Sequence, residues 1–166
     1  MVAIQIKDIK TFMSKLLSSS FFDFFLVKEA QINTYNNFYI EGHTNRDFFN
    51  KEELEDPTVL FYEYSLWQTI KPVLFQLIKG KKVPSLLKIT LLLPPEKLSL
   101  VSASFGDEEL SPFLKYFVVT VKYDSQGLTL TTGTSFTTFV ADKTADTMWD
   151  QVFPKFLSDN TIDYDL

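Results

Sequence analysis

Two stretches of the chain are near copies of one another: Trp67-Gln68-Thr69-Ile70-Lys71-Pro72 and Trp149-Asp150-Gln151-Val152-Phe153-Pro154. Each runs Trp, two polar residues, a β-branched apolar residue, one further residue, then Pro. Both lie in segments whose apolar residues recur at helical spacing: Trp67, Ile70, Leu74, Leu77 and Ile78 in the first, and Met148, Trp149, Val152, Phe153, Phe156 and Leu157 in the second. A proline inside a helix removes one backbone hydrogen bond, so each helix is expected to kink or restart there. Ser65 and Gln68 have capping-box spacing at the start of the first.

The elements ahead of these helices also repeat in order. Val2, Ile4 and Ile6 alternate as a short strand, and Asp8 caps a helix carrying Ile9, Phe12, Met13, Leu16 and Leu17. A β-rich run from Phe24 to Ile32 turns through Asn33–Asn37 into a return strand, Phe38 to His43. In the second half Ile89, Leu91 and Leu93 form a strand, and Pro94-Pro95-Glu96 opens a weaker helix. Phe117, Val119, Val121 and Tyr123 then lead through the turn Asp124-Ser125-Gln126-Gly127 to Leu128 and Leu130, with Gly133 expected as a bulge. Thr161 to Leu166 should fray, and the acidic run Glu52 to Pro57 reads as a loop. The expected architecture is an α+β domain over residues 1–166. It is built from a duplicated strand–helix–β-hairpin–helix unit (about 1–82 and 83–160), with mainly antiparallel sheet and helices packed on one face.

Composition narrows the function. A chain of 166 residues with 45% apolar content can bury a real core. With no cysteine it has neither disulfides nor thiolate metal ligands. Residues 1–106 carry 12 Lys and Arg against 11 Asp and Glu, whereas residues 107–166 carry 4 against 10, so a wholly basic surface is excluded. The N-terminal Val2–Lys7 segment has no long apolar core, and no apolar run nears the roughly 20 residues of a membrane span. A cytoplasmic protein is expected, with no membrane partner.

Candidate sites are few. The lone histidine, His43, lies near Glu41, Arg46 and Asp47. A carboxylate beside it could orient a general base, yet no nucleophile completes such a site. Glu52, Glu53, Glu55 and Asp56 lack calcium-loop spacing, so no metal and no cofactor is called for. Thr131-Thr132-Gly133-Thr134-Ser135 could offer hydroxyls and backbone N–H groups to an anion, or serve simply as strand. Lys79, Lys81 and Lys82, with Lys10 and Lys15 on the first helix, are candidate phosphate or nucleic-acid contacts. Of 26 aromatic residues, 13 fall between Phe21 and Trp67. One core face cannot bury them all, so Phe21, Phe22, Phe25, Phe61, Tyr62 and Tyr64 are candidates for a subunit or partner interface unless 44–63 folds back over them.

Asp8-Ile9-Lys10, Phe12–Leu17, Tyr64-Ser65-Leu66-Trp67, Leu77–Lys81, Tyr123-Asp124 to Leu128-Thr129, Thr131–Ser135 and Trp149-Asp150 give the chain a resemblance to an uncharacterised family of small bacterial proteins from low-GC Gram-positive anaerobes. That resemblance spans nearly the whole chain; it implies a bacterial cytoplasmic protein and brings no catalytic residue with it. At fold level, the two strand–helix–hairpin units also resemble the duplicated building block of sliding DNA clamps. The inner helix at Pro95–Ser104 departs from that pattern, because Lys97 is its one lysine. The leading expectation is a non-catalytic binding or scaffold protein that forms a homodimer or meets a protein partner. A clamp-like nucleic-acid-associated protein and a small enzyme using Glu41 and His43 are the alternatives.

Overall fold

Period-two burial along the strands and helical burial between them resolve into two layers in the computed structural model, which describes residues 1–58, 61–106 and 108–166. The order is β1 (Ala3–Ile6), α1 (Ile9–Ser18), β2 (Leu26–Asn33), β3 (Asn37–Glu41), α2 (Lys51–Glu55), α3 (Trp67–Ile78), β4 (Leu86–Leu92), α4 (Leu98–Ser104), β5 (Leu114–Asp124), β6 (Gly127–Phe136), α5 (Thr144–Asp159) and β7 (Tyr164–Asp165). All seven strands join one antiparallel sheet in the order β3-β2-β4-β5-β6-β1-β7.

Register explains where the core sits. Ile40, Ala30, Ile89, Val121, Leu130 and Ile4 are successive cross-strand partners, forming one apolar row across six strands. Above that row pack Phe12 and Leu16 of α1, Trp67 and Leu74 of α3, and Met148, Phe153 and Leu157 of α5, all fully buried. Each such side chain contributes roughly 1.5–3 kcal/mol on burial. The α+β class, the antiparallel sheet and the placement of these helices over one face agree with the expectation.

Several local readings need correction. The β-rich run expected from Phe24 starts as strand only at Leu26, because Phe21–Phe25 form a pair of tight turns in which Asp23 N donates to Ser20 O and Phe25 N to Phe22 O. The acidic run is not an open loop. Asn50 and Glu53 close a reciprocal capping box that starts α2. The box expected at Ser65 and Gln68 does not form: Leu66 is the cap, without a side-chain bond, and Trp67 N donates instead to Phe25 O. Contact with the turn that leads into β2 therefore sets the start of α3. Both α3 and α5 run through their prolines as continuous helices. Gly133 is in register opposite Val118, and the irregularity in that ladder lies between Leu114 and Tyr116. The C-terminal residues do not fray. Ile162 is buried, and Tyr164 and Asp165 pair with β1.

Although the order of elements recurs in the two halves, the sheet treats their first strands differently. β4 lies between β2 and β5, whereas β1 pairs with β6 and β7. The two tryptophans also anchor differently. Trp67 Nε1 donates to Leu16 O at the end of α1, and Trp149 Nε1 to Val118 O in β5, each at 2.8 Å. Among the described residues no helix is long and apolar enough to cross a membrane.

Candidate functional site

Alternation along the central strands sends one set of side chains into the core and the other to the face opposite α1, α3 and α5. Register aligns the second set: Thr90 of β4, Thr120 of β5 and Thr131 of β6 are neighbours, as are Leu92, Val118 and Gly133. Residues 62–66 cover one end of this face. His43 and Leu26 form isolated bridges with Tyr64 and Leu66, and Tyr64 meets Tyr116 edge-on with ring centroids 6.0 Å apart. Leu26, Leu92 and Tyr116 thereby form a small second core, with Tyr62, Tyr64, Leu66 and Val118 around it. Beyond this cover lies an open trough of about 330 Å³, walled by Thr90, Thr120, Thr131, Ser135, Lys28 and Lys115.

The acidic groups near the trough are already engaged. Glu63 accepts from Lys115 Nζ at 2.7 Å and from the Tyr116 hydroxyl at 3.1 Å. Glu29 accepts from the Tyr39 hydroxyl at 2.8 Å and, at 3.5 Å, from Thr90 Oγ1, which leaves Thr120, Thr131 and Ser135, among the described residues, as the trough's unengaged threonine and serine hydroxyls. Lys115 and Tyr116 hold the Glu63 carboxyl below the ordinary carboxylate range, against the opposing effect of burial. Burial, reinforced by the Glu63 charge, pushes the Tyr116 phenol well above its usual value and keeps it a neutral donor. Tyr62 is pushed up to about 12 by burial and by its hydrogen bond to Glu96. Lys28 has no ion-pair partner among the described residues. The trough therefore presents hydroxyls and an unpaired ammonium, an environment suited to a ligand rich in acceptors, such as a carboxylate or phosphate.

A pH dependence follows for Glu63. A carboxyl with a folded pKa below its unfolded value stabilises the fold above the unfolded value, and that stability is lost as pH falls through the folded one. In urea titrations at several pH values, Glu63→Gln should flatten the loss of stability below pH 4.5, the group's ordinary value. An unchanged acid limb would separate Glu63 from the acid response.

The structure does not assemble the polar group expected around the histidine. Glu41, His43, Arg46 and Asp47 are all exposed; the His43 ring meets Tyr64 edge-on, and the Arg46 guanidinium lies 5.7 Å from the Phe61 ring centroid. Among the described residues no hydrogen bond joins Glu41 to His43, and no group of three or more His, Asp or Glu side chains could hold a metal. Lys79 and Lys82 line a cleft of about 480 Å³ with Tyr35 and Val83, Lys81 is exposed beside it, Lys10 is exposed on α1, and Lys15 lies over the Phe21 ring. Phe22 and Phe25 are fully buried within the subunit, which removes them from any contact surface. Phe21 stacks on Phe156, while Phe61, Tyr62 and Tyr64 are half-buried where 61–66 folds back.

Lys28, Lys115, Thr90 and Thr120 were not singled out by sequence. The Thr131–Ser135 stretch, expected to meet an anion or to serve simply as strand, divides by alternation. Thr131, Gly133 and Ser135 face the trough, whereas Thr132 and Thr134 donate to Asp150 and Asp146 of α5.

A family model described as a family of unknown function, DUF5721, matches residues 15–165. No curated protein and no solved structure matches the chain.

Proposed function

We propose that this chain, which belongs to the DUF5721 family, is a non-catalytic bacterial binding protein that self-associates and takes a small anionic ligand on the face of its sheet opposite α1, α3 and α5. The observation that carries this reading is the trough. Hydroxyls from three strands and the unpaired Lys28 converge on it, beside a Glu63 carboxylate neutralised by Lys115 and a Glu29 carboxylate that accepts from the Tyr39 hydroxyl. The cytoplasm is the compartment that fits a cysteine-free chain of this composition. Duplication of a strand–helix–hairpin–helix unit belongs to the same proposal. It is supported by the matching orders β1-α1-β2-β3-α3 and β4-α4-β5-β6-α5 and by the paired Trp–Pro helices.

Native mass spectrometry of protein purified from cells at low salt tests the binding role. A bound small anion is expected, and Lys28→Ala should weaken its rebinding by about tenfold, the size of one charge-assisted hydrogen bond. Amide shifts on titration should centre on Thr90, Thr120 and Thr131. Shifts confined to another surface, or binding indifferent to Lys28, would refute the assignment.

A second reading, nucleic-acid association, draws on the cleft between Lys79, Lys82 and the exposed ring of Tyr35, since a base can stack on an aromatic while lysines meet phosphates. It requires single-strand affinity that falls steeply with salt. No binding of a labelled oligonucleotide at low salt would eliminate it.

A further inference from the structure

The two edges of the sheet differ in kind. β7 has only two residues, Tyr164 and Asp165, and Asp165 is held in an ion pair with Lys7 at 2.7 Å, a very short, charged edge of the sort that discourages pairing. β3 has five residues, Asn37-Phe38-Tyr39-Ile40-Glu41, with neither lysine nor proline. Among the described residues its backbone pairs only with β2. Hydrogen bonds outside the sheet ladders reach Asn33 and Gly42 on either side, and none reaches residues 37–41. An unguarded edge of this length is a template for another strand.

The surroundings of this edge are apolar on the helical side. Phe38 and Ile40 are half-buried at the margin of the core. On α3, Ile70, Val73 and Leu77 share one flank by their spacing of three and four residues. Leu77 lines the cleft with Thr34 and Tyr35, so that flank faces the β2–β3 hairpin. Val73 is 52% exposed, and Tyr35 and Tyr39 are 87% and 65% exposed.

We infer that a second copy of this chain seats here, pairing β3 antiparallel with its own β3 about a two-fold axis through Tyr39. A two-fold perpendicular to the sheet keeps core-facing residues on the core side, so each residue must oppose one of the same parity. Only the register centred on Tyr39 pairs all five residues. Phe38 then meets Ile40 of the copy on the helical side, and Glu41 meets the neutral Asn37, so no like charges oppose each other. This self-matching favours a copy of the chain over a foreign strand. The β2 strands of the two copies, on which the α3 helices pack, would lie three strand spacings apart, roughly 14 Å. Phe38, Ile40 and Val73 of both copies fill that gap. This names the surface for the self-association proposed above. The trough lies on the face of the sheet rather than its edge, so either assignment can fail alone.

The absence of cysteine makes the test clean. Wild-type protein should sediment as a dimer. Directly opposed Cβ atoms lie about 5 Å apart, so Tyr39→Cys should crosslink to a covalent dimer on oxidation or with a short bis-maleimide. Ser125→Cys, at the β5–β6 turn, should not crosslink. Val73→Asp should raise the dimer dissociation constant by about tenfold or more with the wild-type circular dichroism spectrum retained. A wild-type monomer at tens of micromolar would overturn the inference. So would a dimer that crosslinks through Ser125→Cys and not through Tyr39→Cys.

Discussion

Replacing Trp67 with alanine is expected to destabilise the fold by about 4 kcal/mol and to lower the melting temperature by roughly 10 °C. The indole is fully buried where α1, α3 and the sheet meet, and the substitution leaves a cavity there. It also removes the N–H that donates to Leu16 O, one of the carbonyls at the end of α1 with no onward helical partner. Trp67→Phe separates these contributions: it keeps much of the apolar volume and loses the hydrogen bond, so it should cost about 1–3 kcal/mol. Urea unfolding followed by circular dichroism reads both values. A loss below about 1 kcal/mol for the alanine variant would mean that Trp67 is not the packing centre described here.

Gly42→Ala is expected to cost about 3 kcal/mol although it adds a single methyl group. A Cβ at position 42 would lie 1.7 Å from the backbone oxygen of Val27, and backbone cannot swing aside as a side-chain tip can. The contact arises because β2 bulges between Val27 and Glu29, bringing Gly42 N to 2.9 Å from Lys28 O. Gly42 O in turn accepts from Ser65 N, which helps seat the segment carrying Tyr64 beside Leu26, Leu92 and Tyr116. The variant should therefore also perturb Tyr64 and Tyr116 in near-UV spectra. Gly133→Ala is the matched control. Its added Cβ would meet only Val118 Cβ, at 3.9 Å, an ordinary contact, so its effect should stay within about 0.5 kcal/mol. Equal losses in the two variants would refute the close-approach explanation.

What was legible in the residues was local. Asp8 capping α1, the Asp124–Gly127 turn and the alternation of β5 and β6 are carried by neighbours within a few positions, and the structure has each of them. The misreadings share one cause, a distant partner overriding a local preference. The Ser65–Gln68 pair lost to Phe25 O across the fold, and the C-terminal residues were drawn into order by β1. The aromatic excess between Phe21 and Trp67 divides in the structure: Phe22, Phe25 and Trp67 are buried in the main core, and Tyr62 and Tyr64 pack around the second one. That division depends on residues 62–66 folding onto the opposite face of the sheet, which no local pattern encodes.

The candidate site shows the same division. Thr131, Gly133 and Ser135 could be placed on one face of a strand from their spacing alone. Lys28, Thr90 and Thr120 reach them only because β2, β4, β5 and β6 are adjacent and in register. By itself, then, the sequence determined the class of fold, most of the elements and which face of each strand is apolar, because periodicity and capping act within a few residues. Strand order, the far position of β1, the cover over Tyr116 and the trough were decided by the tertiary structure. Each depends on a pairing between segments many residues apart, and many such pairings are compatible with the same alternation of apolar and polar residues.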